Sequence, residues 1–270
     1  MSARIFAGDR RIDAVPVDDR GLAYGDGLFE TLRVHRGVAP WWDAHWSRLA
    51  QGARRLGIPL PDPARVRAES DALFGDGGDG VLKLQLTRGS GGRGYAPPAR
   101  PVPTWIVSRH PLPAASAGLR LRWCETRLAV QPALAGIKHC NRLEQVLARR
   151  ECEDAGVDDG VLCDGDGAVV AATAANLFVL RDGGWLTPPV DRCGVAGVCR
   201  AHLLPVLQAR EARLSPAGVE GADALFLCNA VRGILVVDRL GARAFDPHPA
   251  VEGARRALAR LHPAFAMETP

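Results

Sequence analysis

The chain is organised around the stretch AGIKHCNRLE, residues 135–144. This stretch places Lys138 after an apolar run, residues 134–137, and just before a predicted helix that begins at Arg142. A lysine beside apolar residues is costly to keep charged, and a lowered pKa is what an amine nucleophile or a proton carrier needs. A loop lysine that faces solvent is the other interpretation of the same pattern.

Length and composition predict a globular protein. The chain has 270 residues, 47% of them hydrophobic, which suits one large domain or two of ordinary size. It has no apolar run long enough to cross a bilayer and no signal-peptide core near its start, so we expect a cytoplasmic protein that does not bind membranes. The net charge of +4 comes from dispersed arginines, which does not favour nucleic-acid binding.

Cysteines and histidines form no metal-binding pattern. The seven cysteines are scattered, and we interpret each as a small buried thiol rather than half of a disulfide. The seven histidines do not fall at ligand spacing with Cys, Asp or Glu, so we expect no metal centre.

Hydrophobic periodicity predicts a mixed α/β chain. Alternating residues predict a hairpin over 4–15, strands over 29–34, 81–87, 103–109, 119–124, 224–228 and 234–238, and a meander within 161–180. Helical spacing predicts helices over 43–56 with Asp43 as N-cap, 64–74, 142–153, 193–210 and 249–261. The Pro- and Ala-rich stretch 111–118 is the predicted connector between an N-terminal domain, 1–110, and a larger C-terminal domain, 119–270.

Two glycine-containing stretches bear on phosphate binding. RGSGGRGY, residues 88–95, contains G-x-G-x-x-G after a predicted strand, but the prolines at 97 and 98 prevent the helix that a dinucleotide site requires. We therefore predict a flexible loop that carries arginines. Residues 193–200 begin the helix predicted over 193–210, and this helix start can hold a phosphate through free N–H groups, although most helix starts hold none.

Taken in order, the motifs resemble those of the class IV pyridoxal-phosphate aminotransferases and lyases. They are DRG at 19–21, YGDG at 24–27, FET at 29–31, His45 and Arg48, Lys138, ANLF at 175–178, the glycines of 194–197, and Arg200. Within this family, residues 88–95, 136–145 and 228–230 resemble the aminodeoxychorismate lyases. The resemblance spans nearly the whole chain and rests on the order and spacing of the motifs.

The resemblance implies a homodimer of two-domain, fold type IV subunits with the active site between the domains. The smaller N-terminal domain would be α/β, and the C-terminal domain would bind pyridoxal 5′-phosphate on a mainly antiparallel or mixed β core flanked by helices. It implies a lyase of folate biosynthesis that converts 4-amino-4-deoxychorismate, a small-molecule substrate, to 4-aminobenzoate and pyruvate. Lys138 would hold the cofactor as a Schiff base and then move protons.

The resemblance also implies roles for other residues. The residues that would bind or border the cofactor are Arg48, Ala171, Ala174, Ala175, Asn176, Val195, Gly197, Val198, Cys199, Asn229 and Ala230. The residues that would face the substrate are Phe29, Thr31, Arg88, Arg93 and Tyr95. Each has a structural alternative: Arg48 as a solvated helix arginine, Cys199 as a core thiol and Asn229 as a turn residue are examples.

One position departs from the family pattern. A glutamate that pairs with the pyridine nitrogen is expected five residues before Asn176, and this chain has Ala171 there. An unpaired nitrogen weakens the electron sink, which puts ordinary transamination in doubt. Lyase chemistry depends on it less, because formation of an aromatic product supplies driving force. We hypothesise that the acid is dispensable here, or is replaced by a water or by a residue from elsewhere in the fold.

Two other functions stay open from the sequence. A D-amino-acid or branched-chain aminotransferase would share the fold, and pyruvate release without a keto-acid acceptor would distinguish the lyase from it. A noncatalytic binding protein of the same fold would stay colourless with pyridoxal phosphate.

Overall fold

The computed structural model describes residues 2–266 of the chain. Two compact units are present, and each combines helices with a sheet. Of the described residues, the first unit contains those up to Leu112 together with Ile137–Asn141, and the second contains Pro113–Gly136 and those from Arg142 onward. The predicted mixed α/β class is confirmed.

The first unit is built on an antiparallel sheet. Its strands are β1 (Ser2–Ala7), β2 (Arg10–Ile12), β3 (Gly27–Val34), β4 (Gly80–Thr87) and β5 (Thr104–His110). Its helices are α1 (Arg20–Tyr24), α2 (Trp42–Leu56) and α3 (Pro63–Asp71), and a 3-10 turn follows α3 at Ala72–Phe74. The strand order is β2-β1-β5-β4-β3, so β3 lies at one edge and the predicted hairpin at the other.

Strand β3 shows why this sheet forms where the sequence predicts it. Its residues alternate, so that Leu28, Glu30, Leu32 and Val34 are buried while Phe29, Thr31 and Arg33 are half-buried. The buried set packs against α2, which begins at Trp42. The prediction of Asp43 as N-cap is wrong, because Asp43 lies inside the first turn, where a carboxylate is favoured by the helix dipole.

The second unit contains a mixed sheet. Its strands are β6 (Leu119–Leu128), β7 (Asp159–Asp164), β8 (Val169–Ala172), β9 (Asn176–Arg181), β10 (Gly184–Thr187), β11 (Arg210–Glu211), β12 (Ala224–Asn229), β13 (Gly233–Leu240) and β14 (Arg243–Ala244). Its helices are α4 (Leu143–Asp154), α5 (Val198–Val206), α6 (Pro216–Glu220) and α7 (Pro249–Leu261), with a 3-10 turn at Pro263–Phe265. The order is β11-β10-β9-β12-β13-β6-β7-β8, and β14 pairs with β13.

The second unit differs from its sequence-based prediction in two places. The predicted meander is two separate hairpins, β7–β8 and β9–β10, since in the described chain β9 pairs with β12 rather than with β8. The helix predicted over 193–210 is only α5, because Gly197 is extended at its N-cap and Gln208, with φ at 50°, follows its end.

Residues 2–266 contain neither a membrane-spanning helix nor a cluster of metal-binding side chains. None of the helices there is long and apolar enough to span a bilayer. The same residues bring together no group of three or more His, Cys, Asp or Glu side chains that would hold a metal ion.

Candidate active site

The segment that carries Lys138 lies along the free edge of β3 in the first unit. The Phe29 N–H donates to the Lys138 carbonyl at 3.0 Å, and the Cys140 N–H donates to the Gly27 carbonyl at 2.8 Å. Ile137 is buried in the core of this unit. These contacts fix the backbone on both sides of the lysine, so its side chain starts from a defined position.

The Lys138 side chain lies over an aromatic ring. Its Nζ atom is 4.3 Å from the centroid of Phe29, within the range of a cation–π interaction, and the residue is half-buried. The Nζ atom of Lys83 lies 5.7 Å from the same centroid. These are the only two lysines among the 34 Lys and Arg residues of the chain. Sequence reasoning missed Lys83, and the scarcity of lysine was the signal that could have found it.

A buried ionic group lies on the other face of β3. Glu30 accepts hydrogen bonds from Arg48 Nε at 2.8 Å and from Arg48 Nη2, and its Oε2 atom lies 2.6 Å from His45 Nδ1. His45 and Arg48 are three residues apart on α2, so one helix face presents both to β3. The predicted phosphate-binding role of Arg48 stays a prediction, and the structure gives its guanidinium a fixed carboxylate partner.

The pKa values in this group assign its charges. Burial alone would raise the pKa of Glu30, but the Arg48 charge and the His45 contact outweigh burial and lower that pKa to about 2. Burial also lowers the pKa of His45, and the charges of Arg48 and Lys138 lower it further against the effect of Glu30. At neutral pH Glu30 is therefore ionised and His45 is neutral, so the Nδ1–H group of His45 donates a hydrogen bond to the Glu30 carboxylate.

In the second unit, most predicted cofactor residues converge at one end of the sheet. The first residue of β9, Asn176, pairs with Cys228 near the end of β12, and Asn229 follows. Asn176 Nδ2 donates to the Val195 carbonyl at 3.0 Å. A Cβ atom on Gly197 would lie 2.0 Å from Asn176 Oδ1, so a larger residue at this turn would displace the Asn176 side chain.

Asn229 organises the neighbouring turn. Its Oδ1 atom accepts from the N–H groups of Val231 and Arg232, at 3.1 and 2.8 Å, and its Nδ2 atom lies 3.4 Å from the Ala174 carbonyl. The side chain thus closes the turn that contains Ala230 and contacts the segment before β9. Ala175 in that segment is buried, and its carbonyl accepts from the Ala172 N–H at 2.9 Å.

Helix α5 begins beside these turns with an uncapped N-terminus. Gly197 has no side chain to accept from the first N–H groups, and Val198 and Cys199 are buried. Arg200 is 4% exposed; it donates to the Pro188 carbonyl at 2.9 Å and to Glu211, but its Nε atom has no partner among the described residues. A phosphate fits such a helix start, because it supplies acceptors for N–H groups and negative charge for the dipole.

Cys199 is a neutral thiol. Burial and the neighbouring Cys228 thiol raise its pKa well above the ordinary value. Both side chains are fully buried. Only the backbone of Cys199 is therefore suited to contact an anion.

Ala171 lies in an apolar environment. It is 8% exposed on β8 and belongs to a cluster with Val170, Leu162 and Cys193. The backbone of β7 pairs Leu162 directly with Ala171. The position therefore supplies no acid to a pyridine nitrogen.

The predicted substrate residues fall into three environments. Phe29 and Thr31 are half-buried on the same face of β3. Arg88 is buried, and its guanidinium donates to Asp26 and to the carbonyls of Leu56 and Gly57. The remaining two, Arg93 and Tyr95, are exposed on the loop that follows β4. Their roles stay predictions.

The model of the amino-transferase class IV family matches residues 27–240. The chain belongs to the class IV aminotransferase family. It is 36% identical over 239 residues to the aminodeoxychorismate lyase of Vibrio harveyi, covering 84% of this chain and 88% of that protein. It is 30% identical over 249 residues to a putative branched-chain-amino-acid aminotransferase of Methanocaldococcus jannaschii, covering 88% of this chain and 86% of that one.

A solved structure is similar to this chain over nearly its whole length. The 4-amino-4-deoxychorismate lyase of Pseudomonas aeruginosa aligns with a TM-score of 0.88 and 44% identity, over 95% of this chain and 98% of that chain. The resemblance inferred from the motifs and the predicted fold type are confirmed by these likenesses.

Proposed function

We propose that this protein is a pyridoxal-phosphate-dependent lyase that converts 4-amino-4-deoxychorismate to 4-aminobenzoate and pyruvate. The observation that carries the proposal is Lys138, whose amine is held over Phe29 by a backbone locked to β3. The likeness to aminodeoxychorismate lyases at 36% and 44% identity supports the choice of reaction.

The residues present fit the proposed cofactor. The orphaned Arg200 Nε atom and the uncapped start of α5 suit its phosphate. Lys138 is the proposed covalent anchor, and Arg48, held by Glu30, is the proposed second cation for the phosphate. When bound, pyridoxal phosphate supplies an aldehyde that takes up an amine and a ring that withdraws electrons from the bonds next to that amine.

Lys138 is also the proposed acid and base. Its Nζ atom would take the proton from the ring carbon that bears the substrate amine and return a proton to the departing pyruvate unit. The bond that breaks joins the ring to the pyruvate oxygen, and the electrons of the C–H bond complete the aromatic ring. The two products together contain every atom of the substrate, so the reaction needs no keto acid.

Ala171 fits this reaction better than it fits transamination. The apolar cluster around it offers no charge to hold a proton on the pyridine nitrogen. A lyase that forms an aromatic ring gains driving force from the product, so it depends less on the electron demand of the cofactor.

An amino-acid aminotransferase is the second candidate. The 30% identity to the putative branched-chain-amino-acid aminotransferase favours it. Steady pyruvate release from 4-amino-4-deoxychorismate without any keto acid, followed with lactate dehydrogenase and NADH, supports the lyase. Turnover only after a keto acid is added identifies an aminotransferase. A protein that stays colourless with pyridoxal phosphate and releases no pyruvate would be a binding protein.

Borohydride trapping tests the anchor directly, since the chain has only two lysines. Borohydride reduction of the protein loaded with pyridoxal phosphate should leave a stable adduct on the peptide that contains Lys138, and none on Lys83. Lys83→Arg should keep the adduct and Lys138→Arg should lose it. Lys138→Ala should slow pyruvate release by at least about a thousandfold. An adduct on Lys83, or pyruvate release by Lys138→Ala at the parent rate, would end the proposal.

We also infer that the protein is a homodimer. The side of α4 that contains Leu143, Val146 and Leu147 is apolar, and these residues are 77%, 59% and 56% exposed. Three such side chains within about one turn form a patch that suits burial against another chain. The cytoplasmic location predicted from the sequence stays a prediction.

A further inference from the structure

One sequence motif, residues 19–27, has no role in the proposed function. The stretch DRGLAYGDG, residues 19–27, carries three charged residues, Asp19, Arg20 and Asp26. Arg20 is 4% exposed, although it lies in a helix of only five residues. Burial of an arginine is costly unless its donors are all used, so its contacts are informative.

Asp26 lies between two arginines. Its Oδ2 atom accepts from Arg20 Nε at 2.9 Å and from Arg88 Nε at 2.7 Å, while its Oδ1 atom accepts from Arg88 Nη2 at 3.0 Å. Burial alone would raise the pKa of Asp26, but the bonds from Arg88 and then from Arg20 outweigh burial and lower it. The carboxylate is therefore charged at neutral pH and bridges the two guanidinium groups.

The two arginines hold the two ends of one loop, residues 88–96. Arg88 begins the loop, and its remaining donors reach the carbonyls of Gly57 and Leu56 at 2.7 and 2.8 Å. The remaining donors of Arg20 reach three consecutive loop carbonyls, at 3.1, 2.8 and 3.3 Å; they belong to Gly94, Tyr95 and Ala96. The loop was predicted to be flexible, but these bonds give it fixed ends and leave the Tyr95 side chain 84% exposed.

The same motif also contacts the segment that carries Lys138. The Asn141 side chain donates to the Gly25 carbonyl at 3.1 Å, and the Cys140 N–H donates to the Gly27 carbonyl. Gly25 has φ at +66°, and a Cβ atom there would lie 2.5 Å from Asn141 Oδ1. Residues 19–27 are thus bonded on one side to the loop and on the other side to the Lys138 segment.

We propose that Arg20 is a positioning residue, which with Asp26 fixes the 88–96 loop relative to the Lys138 segment and so presents Arg93 and Tyr95 in one arrangement for substrate. The inference rests on the proposed function, because that function gives this loop its substrate. Four of the five guanidinium N–H groups of Arg20 already donate to Asp26 and to the three loop carbonyls. Its effect on substrate would pass entirely through the loop backbone.

Limited proteolysis tests the fixed loop without reference to activity. Trypsin must draw several residues around Arg93 into its active site, which is faster when the ends of the loop are released, so Arg20→Gln should raise the cleavage rate there by at least about tenfold. Arg109→Gln is the matched control, because Arg109 also donates to a carboxylate and a carbonyl, those of Asp76 and Leu73, and lies over an aromatic ring, Phe74. Cleavage after Arg93 should not change in that control. Equal rates in Arg20→Gln and the parent would overturn the loop-fixing role.

Steady-state kinetics tests the effect on substrate. For 4-amino-4-deoxychorismate, Arg20→Gln should raise KM by about tenfold or more while kcat falls less, and Arg20→Lys, which lacks the planar fork, should behave in the same way. If Arg20→Gln does not fold, Asp26→Asn replaces it in both experiments. An unchanged KM beside faster loop cleavage would overturn the substrate role. Failure of the parent to release pyruvate would refute the proposed function instead, and the proteolysis would still decide the loop-fixing role.

Discussion

Lys138 interacts with Phe29 in two ways, through a backbone hydrogen bond and through a cation–π contact. Its carbonyl accepts from the Phe29 N–H at 3.0 Å, and its Nζ atom lies 4.3 Å from the centroid of the Phe29 ring. A single residue of β3 therefore positions both the backbone and the amine of the lysine.

Removal of the Phe29 ring should weaken turnover without removing the anchor. Phe29→Leu keeps the backbone bond and loses the cation–π interaction, which is worth about 1 kcal/mol. We expect kcat/KM for pyruvate release to fall about fivefold. Phe29→Tyr keeps the ring and should stay near the parent value. Borohydride labelling of Lys138 should persist in both, and its loss in Phe29→Leu would show that the ring is needed for covalent attachment.

Glu30→Gln should destabilise the fold, because it leaves Arg48 without its buried carboxylate. We expect the free energy of unfolding in urea at pH 7 to fall by about 3 kcal/mol. Glu69→Gln, which breaks a more exposed ion pair with Arg4, should change it by less than about 1 kcal/mol. Similar losses in the two variants would show that the Glu30 contacts contribute no more than those of a surface pair.

The buried group of Glu30, His45 and Arg48 should also make the fold less stable in acid. The pKa of Glu30 is lowered from 4.5 to about 2 in the folded chain, so its contribution is complete above about pH 4.5 and is lost as the pH falls towards 2. The lowered pKa of His45 acts in the same direction below about pH 6.5, since only the unfolded chain takes up that proton readily. Urea unfolding from pH 8 to pH 2 should show the decline in two parts, that of His45 below about pH 6.5 and that of Glu30 below about pH 4.5. His45→Gln should flatten it between pH 7 and pH 5.

Ala171→Glu should make stability depend on the cofactor. Without pyridoxal phosphate, the new carboxylate is buried among apolar side chains and should lower Tm by several degrees. Addition of pyridoxal phosphate should raise Tm more in this variant than in the parent, because a pyridine nitrogen then has a carboxylate partner.

The neighbouring residue supplies the control for that variant. Ala172 belongs to a different cluster, with Val161 and Leu177, so Ala172→Glu should be destabilised without any extra rescue. Equal rescue of both variants would show that position 171 does not face the cofactor. If Ala171→Glu raised pyruvate release more than about tenfold, the missing acid would limit the parent.

The exposed side of α4 predicts the assembly state. Light scattering after gel filtration should give the mass of a dimer for the parent, and Leu147→Glu should shift the protein towards monomer. Leu261→Glu is the control, because Leu261 is an exposed leucine on α7, at 41%. A dimer that persists unchanged in Leu147→Glu would exclude this face from the interface.

The sequence by itself determined the features that depend on local spacing. The alternation of side chains along β3 determined which of its faces is buried, and the spacing of apolar residues along α2 determined which side of that helix packs against it. Both patterns depend only on neighbouring residues, because a strand repeats every two residues and a helix every 3.6. The apolar run before Lys138 and the order of the motifs were enough to single out that lysine and the family.

Only the tertiary structure decided which distant residues meet. It assigned Ile137–Asn141 to the first unit and placed Lys83 at the ring beneath Lys138. It also showed that the Arg88 guanidinium donates hydrogen bonds to Asp26 and to the carbonyls of Leu56 and Gly57. These outcomes depend on pairing between residues that are far apart in the chain, such as the strand pairs of β3 with β4, which are 46 to 60 positions apart, and no local pattern encodes such pairing. The sequence therefore identified Lys138, and the fold supplied the ring, the ionic group and the anchored loop in the same unit.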